Sequence, residues 1–445
     1  MPTLVYQKIR MSTAKIQAPK GTLDILPADA WRWQAVERIA RTVAELYAFR
    51  EIRTPIFEHT ELFHRGVGET SDIVSKETYT FEDRGNRSLT LRPEGTAGVV
   101  RAAIEHGLIA DQGARVKLFY IVPNFRYERP ASGRYRQHHQ FGAEAFGIPD
   151  PAQDAECILL QMDFYRRCGL RDLELQVNSL GDRESKARYR EVLVQFLSPR
   201  AAEMSEDSQR RLKENPLRIL DSKDPRDQAA CVGAPPANES LSPQSRAHFE
   251  KLQQLLSDSK VPYRVNSNLV RGFDYYTDTL WEVTAGGLGA QNAVGGGGRY
   301  DNLVEQLGGR PTPGVGFGCG LERLLLALES QGVALPDHRK PLAWIVAPDD
   351  AARAVAWQLL ADLRAANIAA DMDLSGRSVK NQFRLADREN AKWSIMLGET
   401  ELANQTATLK EMKTGEQTIV PLNELPSRLS ESQEVAPQNA ALSKM

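Results

Sequence analysis

The chain has only four cysteines, Cys157, Cys168, Cys231 and Cys319, and no two form a Cys-x-x-Cys pair. That scarcity speaks against both a zinc knuckle and a disulfide framework and fits a reducing compartment, so a cytoplasmic location is expected. No apolar run is long enough to span a bilayer as a helix, so no membrane partner is expected. No excess of one charge exists either, because the formal net charge is -2. Any contact with nucleic acid must therefore come from local basic clusters. Two nucleotide signatures are missing as well. No Gly-x-x-x-x-Gly-Lys-Ser/Thr loop occurs, and the run Gly295 to Gly298 lacks the strand-turn-helix setting of a dinucleotide fingerprint. Alone, that glycine run is explained equally well as a turn or a bulge.

What is present is the composition of an ordinary globular protein, 41% hydrophobic and 26% charged, over 445 residues. At roughly 100 to 200 residues per domain this length implies several modules. Residues 1–17 read as a flexible extension; the first twenty carry four basic and no acidic residues. Apolar residues at Val36, Ile39, Ala40, Val43, Leu46 and Tyr47 fall at the three and four spacing of one helical face, which predicts a helix from Trp31 to Tyr47. The following EIRTPIFE, residues 51–58, reads as a strand whose Pro55 favours an edge or an interface. Further strand-like runs at 89–91, 116–122, 173–177 and 280–284, with few crossover helices between the first of them, predict a largely antiparallel sheet. Residues 183–262 are polar and nearly glycine-free and read as a helical insertion. From 341 to 425 strand and helix alternate, marking a separate small α/β domain, and residues 427–445 read as a flexible tail.

Three clusters carry the chemistry. The first runs from RPEGT, Arg92 to Thr96, to PNFRYERPASGRYRQHHQFGAE, Pro123 to Glu144; the second is LVRGFDYY with AVGGGGRYD; the third is GVGFGCGLERLL. Each joins arginine or glycine to a strand end. The guanidinium fork suits phosphate and glycine lets backbone N–H groups approach an anion, so a polyphosphate site is implied.

These clusters resemble those of the class II aminoacyl-tRNA synthetases, specifically the bacterial-type histidyl-tRNA synthetase family. WQAVERIARTVAELYAFREIRTPIFE, NFRYER to AEAFG, and GVGFGCGLERLLLAL are similar to the three motifs of the class, while VRGFDYY and AVGGGGRYDNLVEQLGG resemble signatures confined to the family and its close relatives. The likeness spans roughly residues 18 to 425. It implies an α+β fold: a catalytic domain over 18–330 built on a six-stranded antiparallel sheet with flanking helices, the helical insertion, and a C-terminal α/β anticodon-binding domain. It also implies ATP-dependent activation of L-histidine, transfer to histidine tRNA, a homodimer joined through the 31–58 helix and strand, and Mg²⁺ held mainly by the ATP phosphates, with no zinc and no metal site from protein alone. His138 and His139 are expected to be loop and strand residues.

By the same resemblance Arg126, Arg271 and Arg323 are the catalytic cations, and Arg126, Glu128 and Arg323 meet ATP. Glu144 and Tyr276 would hold the imidazole ring; Glu94, Gly95, Thr96 and Gln140 the α-amino end; Tyr275 and Tyr300 would line the pocket. Taken singly, Arg323 reads first as an ordinary surface charge; the tyrosines also fit core packing, and Glu94 and Glu144 structural ion pairs. Arg129, Arg134 and Arg136 form a basic patch suited to the tRNA acceptor end, although Ala131 stands where many relatives carry glutamine. Arg377, Lys380, Arg384 and Arg388 are spaced to share one helical face, which serves a phosphate contact or a merely solvated surface. Synthetase-like regulatory paralogues characteristically lose reactive residues and the C-terminal domain. Here both are present.

Overall fold

The computed structural model describes residues 15–434 apart from 69–70, 112, 114, 290–291, 338 and 340–341. The expected extension at 1–17 therefore lies mostly outside the described residues, as do positions 435–445 of the tail. The chain divides into two compact units, residues 1–337 and 338–445.

The first unit is built on one sheet. Its strands are β1 (Arg50–Glu51), β2 (Val116–Phe125), β3 (Gln137–Phe146), β4 (Leu173–Ser179), β5 (Arg264–Val265), β6 (Thr277–Ala285), β7 (Ala293–Arg299) and β8 (Gly314–Gly320). They lie in the order β1-β2-β3-β8-β7-β6-β4-β5. This corrects the expected six-stranded antiparallel sheet: the sheet has eight strands and is mixed. The six inner strands pair antiparallel, but β1 joins β2 and β5 joins β4 in parallel. Both additions are two-residue edge strands, too short to leave a period-two pattern in the sequence.

Side chains alternate across the sheet. One face presents Phe119, Phe141, Ala143, Val315, Phe317, Trp281 and Val283 to a buried core shared with the flanking helices. Those helices include Pro27–Leu46, Pro151–Arg167, Pro243–Asp258 and Leu321–Ser330. The first places Val36, Ala40 and Val43 on its buried side, with Pro27 in its first turn, where the missing N–H costs nothing. The opposite face of the sheet carries the site. The stretch read as one strand over 51–58 is divided: after β1 the chain leaves the ladder through Pro55 and re-enters pairing at Phe57–His59, in a separate three-stranded sheet with Tyr79–Glu82 and Ser88–Leu91. The insertion is helical, with helices at Arg183–Leu197, Glu206–Glu214, Pro225–Cys231 and Pro243–Asp258 joined by short 3₁₀ turns.

In the second unit a five-stranded sheet pairs Ala370–Met372, Ala343–Val346 and Trp393–Met396 in parallel and continues antiparallel through Thr406–Glu411 and Gln417–Pro421. The last hairpin was not legible in the sequence. The region from 427 is not loose throughout: Leu425–Glu434 is helical, and Leu429 is buried in that unit's core.

Candidate functional site

The rows of the sheet explain the site's shape. On its open face, Tyr120, Gly142, Gly318, Gly296 and Glu282 lie side by side across five strands, and the neighbouring row runs Glu144, Gly316, Gly298. Two glycines are required by close approach. A Cβ on Gly318 would sit 1.6 Å from Gln140 Nε2, and one on Gly316 would sit 1.8 Å from Glu144 Oε2. The bare backbone lets long polar side chains lie flat along the sheet.

Above this floor is a cavity of about 340 Å³ whose walls bring together Arg126, Arg271 and Arg323 with Glu94, Thr96, Gln140, Tyr275, Tyr276 and Tyr300. Glu128 and Arg134 also line it. Residues as far apart in the chain as Glu94 and Arg323 thus meet at one space.

Each arginine is anchored by the chain. Arg126, just after β2, donates Nε to Pro93 O (2.8 Å) and stands over the Phe273 ring. Arg323, in the helix after β8, donates to Ala293 O (2.8 Å), and burial together with nearby Arg134 lowers its pKa. Arg271 donates to Glu282 Oε2 (2.6 Å), while its Nε is buried without a hydrogen-bond partner among the described residues. Burial is the largest single influence and works against the Arg271 charge, but Glu282 together with Tyr276, Tyr275 and Asp221 outweighs it and raises the pKa. Glu128 balances Arg134 at 2.9 Å and Arg126 at 3.8 Å. These carboxylates keep a crowded set of cations from repelling one another.

The carboxylates read from the sequence play different structural parts. Glu94 lines the cavity and caps the helix Thr96–Glu105, accepting from the N–H groups of Thr96 (2.6 Å) and Ala97 (2.8 Å). Burial raises its pKa, and those two N–H groups oppose the rise. Glu144 is completely buried and is not part of the cavity wall; it accepts hydroxyl hydrogen bonds from Thr96 (2.7 Å), Tyr120 (3.0 Å) and Tyr300 (2.5 Å). Burial pushes its pKa up to about 8, against the pull of those hydroxyls. Gly95 is not in the wall either: its missing Cβ makes room for the Tyr120 ring.

Sequence reasoning missed several members. Glu282 and Tyr120 sit in plain strand patterns and gain meaning only from cross-strand neighbours. His138, on β3, lines the cavity, and burial with nearby Arg126 holds its pKa down at about 3, so its ring is neutral. His139 is anchored by Glu322, which accepts from its backbone N–H (2.8 Å) and contacts its ring Nδ1 (2.9 Å). Arg92 turns out to be a strut, donating to Pro123 O, Thr54 O and Pro55 O.

The remaining basic residues lie elsewhere. Arg129 is exposed, and Arg136 packs its guanidinium 3.9 Å from the Tyr127 ring centroid. In the second unit Lys380, Arg384 and Arg388 are exposed on the helix Val379–Arg388. Arg377 precedes that helix and pairs with Asp373 at 3.2 Å, so it does not extend the helical stripe.

Comparison with known proteins accords with this geometry. The histidyl-tRNA synthetase family profile matches residues 21–324, and an anticodon binding domain profile matches residues 341–432. A histidine–tRNA ligase of Moorella thermoacetica is 52% identical over 91% of this chain and 95% of its own length. One from Thermosynechococcus vestitus is 50% identical over 96% and 99%. The crystal structure of apo S. aureus histidyl-tRNA synthetase superposes with a TM-score of 0.79 at 40% identity, covering 93% of this chain and all of that one. A floor of glycines beneath converging arginines, a profile spanning most of the first unit and relatives identical at half their positions lead to one conclusion: the chain belongs to the histidyl-tRNA synthetase family.

Proposed function

We propose that the cavity joins L-histidine to ATP, giving histidyl-adenylate and pyrophosphate, and that the histidyl group then passes to the 3′ end of histidine tRNA. The observation that carries this reading is the convergence of Arg126, Arg271 and Arg323 on one cavity beside Glu94, Thr96, Gln140 and Tyr276. In the first step a carboxylate oxygen of histidine attacks the α-phosphorus and the bond to the β-phosphate oxygen breaks. Negative charge grows on the α-phosphate and on the departing pyrophosphate, and fixed guanidiniums stabilise it without reorganising. Arg126 meets the α-phosphate, Arg323 the γ-phosphate, and Arg271 the α-phosphate and the carboxylate. Glu94, Thr96 and Gln140 receive the ammonium group.

Tyr276 and Glu144 select the ring, with Tyr275 and Tyr300 as walls. The buried position of Glu144 supports an action through hydroxyls: it consumes the proton of Tyr300, whose oxygen lone pairs then favour a substrate that donates. Glu128 and Glu282 offer hard oxygen donors at the cavity wall, a set that suits Mg²⁺ carried mainly by the ATP phosphates. Such an ion would neutralise phosphate charge.

Arg129, Arg134 and Arg136 suit the acceptor end of tRNA, and the second unit, with Lys380, Arg384 and Arg388, suits the anticodon. We further infer a homodimer through the 31–58 region, supported by exposed Leu46, Ile56 and Phe57. A cytoplasmic location accords with four free cysteines and with the absence, among the described residues, of any helix long and apolar enough to cross a membrane. The test is histidine-dependent exchange of pyrophosphate into ATP. Wild-type protein should exchange with histidine and with no other amino acid, and Arg271→Ala should lower kcat about 10²- to 10³-fold while histidine still binds. Histidine binding without exchange in the wild type would leave a sensor rather than an enzyme.

A further inference from the structure

The segment Val270–Tyr276, which carries Arg271, Tyr275 and Tyr276 to the cavity, belongs to no helix or strand. Its backbone carbonyls therefore need partners from elsewhere to hold one conformation. They find them in the helical insertion. Arg218 donates Nη1 to Arg271 O (3.3 Å) and Nη2 to Gly272 O (2.5 Å). Lys186 donates Nζ to Asp274 O (3.2 Å) and Tyr276 O (2.8 Å). Asn215 donates Nδ2 to Asp274 Oδ1 (2.9 Å), and Arg218 Nε stands 3.8 Å from the same oxygen. Arg218 and Lys186 are thus spent on main-chain acceptors of a single six-residue stretch, from two separate parts of the insertion.

We infer that Arg218 and Lys186 are positioning residues, through which the insertion holds the Arg271 loop in the geometry that adenylate formation needs. The inference rests on the role proposed above for Arg271. Arg218 grips the two peptide units that follow the Arg271 Cα, and the far end of the Arg271 side chain is set by Glu282. Loss of Arg218 leaves the charge of Arg271 in place but frees its backbone. A displacement of about 1 Å at a reacting centre can cost up to 10²-fold in rate. The effect belongs to kcat, because the loop acts on charge that develops in the transition state.

A double-mutant cycle in the full-length protein separates this from a bulk structural role. In histidine-dependent pyrophosphate exchange, Arg218→Ala should lower kcat about 10-fold or more with the KM for ATP little changed. In an Arg271→Ala background the same change should cost nothing further, because its target is gone. Arg218→Lys, which keeps the charge but loses the planar fork of donors, should fall between. Losses that multiply in the double variant, or an unaltered kcat in Arg218→Ala, overturn the inference. If Arg271→Ala itself exchanges normally, the proposed role of Arg271 falls and the inference with it. Should Arg218→Ala fail to fold, Lys186→Gln enters the same cycle with the same expected outcomes.

Discussion

Tyr300, in the cavity wall, donates its hydroxyl to Glu144 across 2.5 Å, and both side chains are buried. Burial raises the Glu144 pKa from 4.5 to about 8. A carboxyl whose folded pKa is raised contributes stability that is fully present below its unfolded pKa and is lost as pH climbs through the folded one. Relative to Glu144→Gln, the wild type should therefore lose stability between about pH 4.5 and 8 and then level off. One pH unit of displacement is worth ~1.4 kcal/mol, so the change should reach kcal/mol rather than tenths. Urea denaturation across that range measures it, and parallel curves for the two proteins would contradict the buried, strained acid.

The glycines of β8 should differ sharply in what alanine does to them. At Gly318 the new methyl meets the far end of Gln140, which can swing aside by giving up the hydrogen bond its Oε1 accepts from Asn124, so stability should drop by about 1 kcal/mol while histidine affinity falls about 10-fold or more, roughly the effect of one lost charged hydrogen bond. At Gly316 the obstacle is Glu144, locked by three hydroxyls, and the fold itself should lose about 1–3 kcal/mol. Gly320 has nothing within 4 Å of its absent Cβ, so Gly320→Ala should stay within ~0.5 kcal/mol of wild type. Thermal melts with histidine titration distinguish the three; equal effects would mean that the glycines are interchangeable spacers.

Asp154, fully buried, pairs with Arg299 and also accepts from Thr279 at 2.6 Å and meets His248 at 2.7 Å. Burial raises its pKa, yet Arg299 and His248 overcome that and leave it lowered. Its contribution is thus present above the ordinary carboxylate pKa and disappears as pH falls through the depressed one. Asp154→Asn leaves the buried Arg299 charge with Asp301, at 3.1 Å, as its remaining counter-charge and should destabilise the protein by about 3 kcal/mol at neutral pH. A denaturation midpoint unchanged from wild type would show that the pair is not holding its strand and helix together.

On the second unit, alanine at Lys380, Arg384 or Arg388 should weaken aminoacylation of tRNA and leave tRNA-independent pyrophosphate exchange untouched. If each side chain meets a phosphate, the slope of log affinity against log salt should fall by about 1 per residue removed. An unchanged slope would assign these cations to solvent.

Several features lay open in the one-dimensional pattern because their causes are local. The helix Pro27–Leu46 follows from its apolar spacing, and the α/β alternation from Ala343 to Met396 from runs of Ala, Val and Ile between polar helices. Other features have no local cause. The hairpin Thr406–Pro421 is mostly polar and earns its strands from pairing with Trp393–Met396. Arg377 has helical spacing from Lys380, but Asp373 captures it before the helix begins.

The residue types alone determined that the arginine and glycine clusters suit phosphate, since the guanidinium fork and the absent Cβ are properties of single residues, whereas a pocket for a small polar ring was implied only by the resemblance. Which of those groups face the cavity was decided by strand register, because a side chain's face is set by its partner across the ladder. Register placed Glu144 beside Gly316 and Gln140 over Gly318 on the open face, and it drew Glu282 into the neighbourhood of Arg271. Those are relations between strands far apart in the chain, and only the folded sheet contains them.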